Sequence, residues 1–327
     1  MSRKPPAAVL WGKLAWHPAV VAWRDVAPDA TEPESIEVLR RGKKSTVYRL
    51  VGAGPDGTPV IAQRASKRKA GIEQTVYEAI LPHLPVTAPR YYGGREASPE
   101  HAWLFVEDIG DDRYSATEPG ELALAGRWVG LMHAGAARVG AARRLPDAGP
   151  PRYLTHLRAG RRTLAAHVGN PALKSDEAAT IREVVADLDR LEQGWARLER
   201  ACTRLPATLT HGDLQRKNTY IRDGPDGPAL FVIDWETAGW GVPAADLTRI
   251  DLPTYWSVVR SAWPDVRLED VRQLAAVGRI FLQLAAIDWV SPELAYDSPL
   301  YLRRPMAWLR VLHGRLVEAI GETGGIP

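Results

Sequence analysis

Residues 209–247, LTHGDLQRKNTYIRDGPDGPALFVIDWETAGWGVPAADL, gather Asp213, Asn218 and Asp234 into one short stretch, with Asn218 five positions after Asp213. Two carboxylates and an amide oxygen facing a common point form a hard oxygen donor set of the kind that suits Mg²⁺. Magnesium keeps several waters, takes one or two protein carboxylates and leaves its other positions to nucleotide phosphates. Asp234 and Asn218 fit as metal ligands. An acidic residue that holds no metal can instead orient a hydroxyl and accept its proton, a role worth roughly 10²- to 10⁴-fold in rate. Asp213 fits that role, and the chemistry such a set serves is phosphoryl transfer.

Those side chains need a hairpin to carry them. Thr208 to Thr210 reads as a short extended run, and His211, Gly212 and Asp213 follow as a tight turn. Thr219–Ile221 and Ala229–Ile233 are rich in branched and aromatic residues, and Asp223, Gly224, Pro225, Asp226 and Gly227 between them supply turn chemistry. Asp234 then stands where the second strand ends. Further upstream, IEVLRRGKKSTVYRLV predicts two strands joined at Gly42, PVIAQRA from Pro59 starts a third, and WLFVED (103–108) is an apolar strand ending in acid.

The helices follow from periodicity. Ile72, Val76, Ile80 and Leu81 share one face of a helix over 70–81, with Glu73 near its start. A second helix, 121–137, carries His133 as a packed core histidine. Ile181, Val184, Val185, Leu188, Leu191, Trp195 and Leu198 form an apolar stripe over 175–200, with Ser175, Asp176 and Glu177 as its N-terminal signal. The stretch 246–320 reads as helical, clearest over 271–289 and 306–320, with Pro292, Pro299 and Pro305 punctuating the connection between those two helices.

The motifs resemble a known family. HGDLQRKN matches the HGD-x-x-x-x-N pattern of the aminoglycoside phosphotransferase and choline kinase branch of the protein-kinase-like fold, and VIDWE matches the segment where that family keeps a metal-binding Asp. Asp246 in PAADL matches a downstream Asp that, with His211, braces the catalytic loop. The resemblance spans roughly residues 35 to 320. It implies an α+β, bilobal fold, with a small N-terminal antiparallel-sheet lobe over 35–108 and a larger, mainly helical C-terminal lobe over 109–327. An extension, 1–34, would pack on the body through Trp11, Trp16 and Trp23.

It also implies ATP and Mg²⁺. Gly42, Lys43, Lys44 and Ser45 would form the loop over the phosphates, although GKKS alone is an ordinary charged hairpin turn. Glu107, Asp108 and Ile109 would form the hinge that holds adenine. Glu73 matches the helix Glu that such enzymes pair with a strand Lys, but the Lys position is occupied by Gln63. Glutamine keeps hydrogen bonding and brings no charge, so Lys43 or Lys44 would have to supply the missing cation, or the protein would have to work without it. The alternatives are a catalytically impaired nucleotide-binding pseudokinase or scaffold, and an enzyme whose acceptor is a protein side chain.

In the resembled family the C-terminal helices build the acceptor pocket. Here they carry Trp240, Tyr255, Trp256, Trp263, Trp289 and Trp308 among Asp251, Asp265, Glu269, Asp288 and Glu293. Aromatic faces and carboxylates suit a cationic or polyhydroxyl small molecule whose hydroxyl is the acceptor: an aminoglycoside, a sugar, another secondary metabolite or an amino alcohol.

Composition narrows the field. The 327-residue chain is 45% hydrophobic, enough for a sizeable core, and carries 42 Lys plus Arg against 39 Asp plus Glu, a formal charge of +3 without a dominant basic block. Nucleic acid is not indicated. The densest basic run, RASKRK (64–69), could contact phosphates but reads as a solvated helix start. The lone Cys202 rules out an intramolecular disulfide framework and fits packing in a reducing cytoplasm. No stretch reads as the ~20 apolar residues of a membrane span. A cytoplasmic monomer or homodimer with no membrane partner is expected.

Overall fold

The computed structural model describes residues 6–42, 45–225 and 227–323. In chain order the elements are β1 (Ala8–Leu10), α1 (Pro18–Val26), β2 (Ser35–Arg41), β3 (Ser45–Val51), β4 (Val60–Ser66), α2 (Lys67–Ala79), β5 (Tyr91–Glu96), β6 (His101–Glu107) and α3 (Pro119–Ala136). They continue with α4 (Pro150–His167), α5 (Ser175–Gln193), α6 (Trp195–Cys202), β7 (Thr208–Thr210), β8 (Thr219–Gly224), β9 (Gly227–Val232), β10 (Gly239–Gly241), α7 (Leu252–Val259), α8 (Leu268–Val290) and α9 (Pro299–Glu322). Two compact units share them: Met1–Ala142 with Leu214–Ala238, and Arg143–Asp213 with Gly239–Pro327.

The first unit is built on a six-stranded antiparallel sheet in the order β1-β2-β3-β4-β6-β5. Alternation sets its faces: Val60, Ala62 and Phe105 are fully buried on β4 and β6. The N-terminal extension joins this sheet, since β1 pairs with β2 and Trp23 of α1 sinks among Ile36, Leu50, Val60 and Phe105. Its indole N–H donates to the Ala53 carbonyl at 3.0 Å. The expectation for the other two tryptophans fails, because Trp11 and Trp16 are 73% and 83% exposed.

Helix α2 starts three residues earlier than expected and ends at Ala79, so Ile80 and Leu81 belong to the turn after it. Its buried face is Ala70, Glu73, Val76 and Tyr77. A carboxylate has taken a position that periodicity would assign to an apolar side chain. Ile72 is only half buried.

The second unit is organised around α8. Leu274, Val277, Ile280, Phe281, Leu284 and Ile287 are buried, and Tyr153 of α4 stacks on Phe281 at 4.1 Å between ring centroids. With the turn after it, α8 is long and apolar enough to cross a membrane by composition, but that window is 61% buried within the protein, as a core helix is. The stripe over 175–200 is not one helix: it breaks at Gly194 into α5 and α6. The start of α5 is set by Lys174, whose backbone N–H donates to Glu177 at 2.9 Å, so Ser175 lies inside the helix. Pro305 also lies inside a helix, in the first turns of α9, rather than in a connection. His133 of the first unit and Cys202 of the second are buried, as expected.

Candidate active site

In the first unit the β8–β9 hairpin pairs Thr219 with Val232, and the Ile233 N–H donates to the Asn218 carbonyl at 2.9 Å. The ladder therefore runs one residue past the strands, bringing Asn218 and Asp234 to the open end of one hairpin. Asn218 is buried. Asp234 adopts φ 65°, left-handed backbone that non-glycine residues rarely take. That turn drops Trp235 into the core and brings Glu236 back beside Asp234.

Glu73, Asp234 and Glu236 then form one cluster, with a carboxylate oxygen from each lying within 4.8 Å of the others. Gln63, in the middle of β4, donates its amide to Glu73 at 2.9 Å. Lys69, one turn before Glu73 on α2, places its ammonium 2.5 Å from Glu236. Glu73 is 2% exposed. Burial, and after it the Asp234 and Glu236 carboxylates, push the Glu73 carboxyl well above its usual range, while the Gln63 hydrogen bond and Lys69 pull it the other way. Several carboxylate oxygens converging without a sulfur or imidazole donor match a hard divalent cation, so this set fits Mg²⁺.

In the second unit the loop after β7 is held by one carboxylate. Asp246 accepts the His211 N–H at 2.6 Å and the Gly212 N–H at 2.8 Å, and the Asp213 N–H donates to the His211 ring at 3.2 Å. Gly212 has φ 77°, which a residue with a side chain adopts only under strain. Asp246 sits in a 3₁₀ turn, Pro243–Arg249, that packs on α8 at Gly278. A Cβ at Gly278 would lie 1.8 Å from the Ala244 carbonyl oxygen, so that close approach requires glycine. His211, Asp213 and Asp246 are all buried.

The remaining sequence-predicted residues are spread over the first unit. The Gly42 N–H closes the β2–β3 turn on the Ser45 carbonyl at 3.0 Å, and Arg40 bonds to the Ser45 hydroxyl. Lys43 and Lys44 lie outside the described residues. Glu107 ends β6 and binds Arg222 at 2.5 Å. The Asp108 carboxylate is engaged by Arg49 at 2.6 Å, and the Ile109 side chain is buried against Tyr220 and Phe231. Side-chain contacts thus occupy all three residues of this stretch. Of the aromatics singled out in the second unit, Tyr255 and Trp263 are core, while Trp289 and Trp308 are about half exposed.

Arg49 and Glu236 escaped the sequence reading, and Lys69 was read only as part of a basic run taken for a solvated helix start, whereas it pairs with Glu236. Glu236 was within the VIDWE segment and could have been found as a second acid two residues after Asp234. Lys69 stands four residues before Glu73, the spacing that stacks side chains on one helix face, so its partner was hinted at even within a basic run. Arg49 carried no local signal beyond being a charge in an apolar strand.

Residues 35–286 match the phosphotransferase enzyme family. No curated protein is similar enough in sequence to match. Solved structures are similar over nearly the whole chain. A structure of APH(2")-IIia with GDP and kanamycin superposes with a TM-score of 0.60 at 15% identity, covering 92% of this chain and 97% of that one. Spectinomycin phosphotransferase with ADP and spectinomycin gives 0.59 at 9% identity, over 91% and 97%. Choline kinase from Cryptosporidium parvum Iowa II gives 0.59 at 11% identity, over 92% of each. At such identities the likeness shows the fold: a protein-kinase-like α+β architecture with an N-terminal antiparallel sheet and a mainly helical remainder.

Proposed function

The chain belongs to the phosphotransferase enzyme family, and from that premise we propose that it is a kinase moving the γ-phosphate of ATP to a hydroxyl of a small molecule with the help of Mg²⁺. The observation that carries this reading is the convergence of Asp234, Glu236 and Glu73 at the open end of a hairpin whose other strand begins beside Asn218. Asp234 and Asn218 would hold the metal, which when bound neutralises charge on the phosphates. Asp213 orients the acceptor hydroxyl and takes its proton. His211 and Asp246 keep the loop carrying Asp213 in shape, as their hydrogen bonds support.

The turn Gly42, Lys43, Lys44, Ser45 would cover the phosphates, and the backbone at Glu107, Asp108 and Ile109 would receive the purine. Catalysis in such a set is positioning and charge neutralisation rather than covalent chemistry by the protein. The acceptor class is an aminoglycoside, a sugar, another secondary metabolite or an amino alcohol. Support comes from the kanamycin and spectinomycin bound to structurally similar proteins, and from the partly exposed Trp289, next to Asp288 in the chain, and Trp308. The lobes are assigned as 35–108 and 109–327, in a cytoplasmic monomer or homodimer.

The test is ADP release from Mg-ATP across aminoglycosides, sugars, nucleosides and amino alcohols, with Asp213→Ala as the blank. Acceptor-dependent release that disappears in the blank supports the kinase. A second reading, the nucleotide-binding pseudokinase or scaffold, is favoured by Gln63 in the lysine position. It gains if Mg-ATP raises the melting temperature while no acceptor is turned over.

A further inference from the structure

We infer that Lys69, on the first turn of α2, supplies the phosphate-binding positive charge that Gln63 does not. This rests on the nucleotide-binding reading above. Gln63 spends its amide on Glu73, and an amide brings no net charge to a polyphosphate. The cluster it belongs to is acidic: Glu73, Asp234 and Glu236 converge within 4.8 Å. A nucleotide entering there meets carboxylates that repel its phosphates, and a cation beside them offsets repulsion that the metal leaves.

Lys69 is the cation the fold delivers. Its position four residues before Glu73 puts both side chains on one face of the helix, and its ammonium reaches Glu236 at 2.5 Å. Unlike Glu73, it is not sealed in: its side chain keeps 29% exposure, so a ligand can reach it from solvent. An ammonium has three donors, so Lys69 can keep Glu236 and still donate to a phosphate oxygen. The basic run 64–69 is therefore divided in use. Lys67 pairs at the surface with Glu96, while Lys69 turns to the acidic cluster.

The test is calorimetric binding of Mg-ATP, Mg-GTP and adenosine to the whole protein. Lys69→Met, which keeps the apolar stem, is expected to weaken the better-bound triphosphate about 10- to 100-fold, the loss of one hydrogen bond to a charged group. Adenosine affinity is expected to stay within about twofold, because it carries no phosphate. Adding Gln63→Lys to Lys69→Met is expected to recover most of the loss by putting an ammonium back beside Glu73. If Lys69→Met does not fold, Lys69→Gln, which keeps a donor for Glu236, is measured in its place. Unchanged triphosphate binding in the variant, or an equal loss for adenosine, overturns the role of Lys69 and leaves the kinase reading standing. A wild-type protein that binds neither triphosphate overturns both.

Discussion

Arg49 on β3 holds Asp108, just past the end of β6, through a 2.6 Å bond between guanidinium and carboxylate, and it also reaches Glu37 and Asp111. Arg49 is 3% exposed. Burial works against its charge, but the hydrogen bonds to Asp108 and Glu37 outweigh it and keep the guanidinium firmly protonated. Removing one member of such a buried network strands the rest. Arg49→Ala is expected to cost about 3–5 kcal/mol of stability. Urea unfolding with an unchanged m-value would measure it, and a loss below about 1 kcal/mol would mean that water replaces the arginine.

The two amides held by Asp246 give a second prediction. Asp246→Asn keeps one acceptor oxygen and turns an NH₂ group toward the other amide, leaving a buried donor unsatisfied at about 1–3 kcal/mol. Turnover should fall more than nucleotide affinity, since the loop carries Asp213 while the metal is assigned to Asn218 and Asp234. Thermal melts and a KM-against-kcat comparison would separate the two effects.

Gly278→Ala is expected to destabilise by about 1–3 kcal/mol, because its methyl cannot fit beside the Ala244 carbonyl without moving the turn that carries Asp246. The same melts check it. An unchanged melting temperature would show that the turn yields without loss.

Metal removal tests the division of roles between the carboxylates. In EDTA, nucleotide affinity of the wild-type protein should drop, and Asp234→Ala should bind with the same reduced affinity whether or not Mg²⁺ is present. Asp213→Ala should keep the metal-dependent binding and lose transfer. Equal loss of binding in both variants would contradict the assignment.

Burial pushes the Cys202 thiol up to about 12 from an ordinary 9.0. A proton held more tightly when folded adds stability that is complete below pH 9.0 and is lost as pH rises toward about 12. Cys202→Ala should therefore flatten the alkaline end of the stability profile. In the native wild-type protein the thiol should resist a disulfide reagent at pH 8 and react at the rate of unfolding.

The β8–β9 hairpin, with Asn218 and Asp234 at its open end, was legible because its signals are local: turn residues, two branched strands and fixed spacing. The contact between Asp246 and the HGD turn came from the resemblance to the family's motif, since 35 residues separate Asp246 from His211 and no local pattern links them. What escaped was either long in range or hidden by type. The Lys69–Glu236 pair joins residues 167 positions apart, and nothing in a basic run says which lysine turns inward. On α2 the apolar pattern placed Ile72, Val76, Ile80 and Leu81 inside, and all but the half-buried Ile72 are buried, but the pattern did not show that Glu73 joins them or that the helix ends at Ala79. Trp11 and Trp16 were expected inside because tryptophan is costly to expose, yet only Trp23 finds a partner surface.

Asp246 lies 35 residues beyond the His211 amide it accepts, on a turn whose seat against Gly278 comes later still. The HGD turn thus depends for its shape on residues that follow it in the chain, both the acceptor itself and the glycine that seats it. A chain that stopped short of Asp246 would leave the His211 and Gly212 amides without that acceptor.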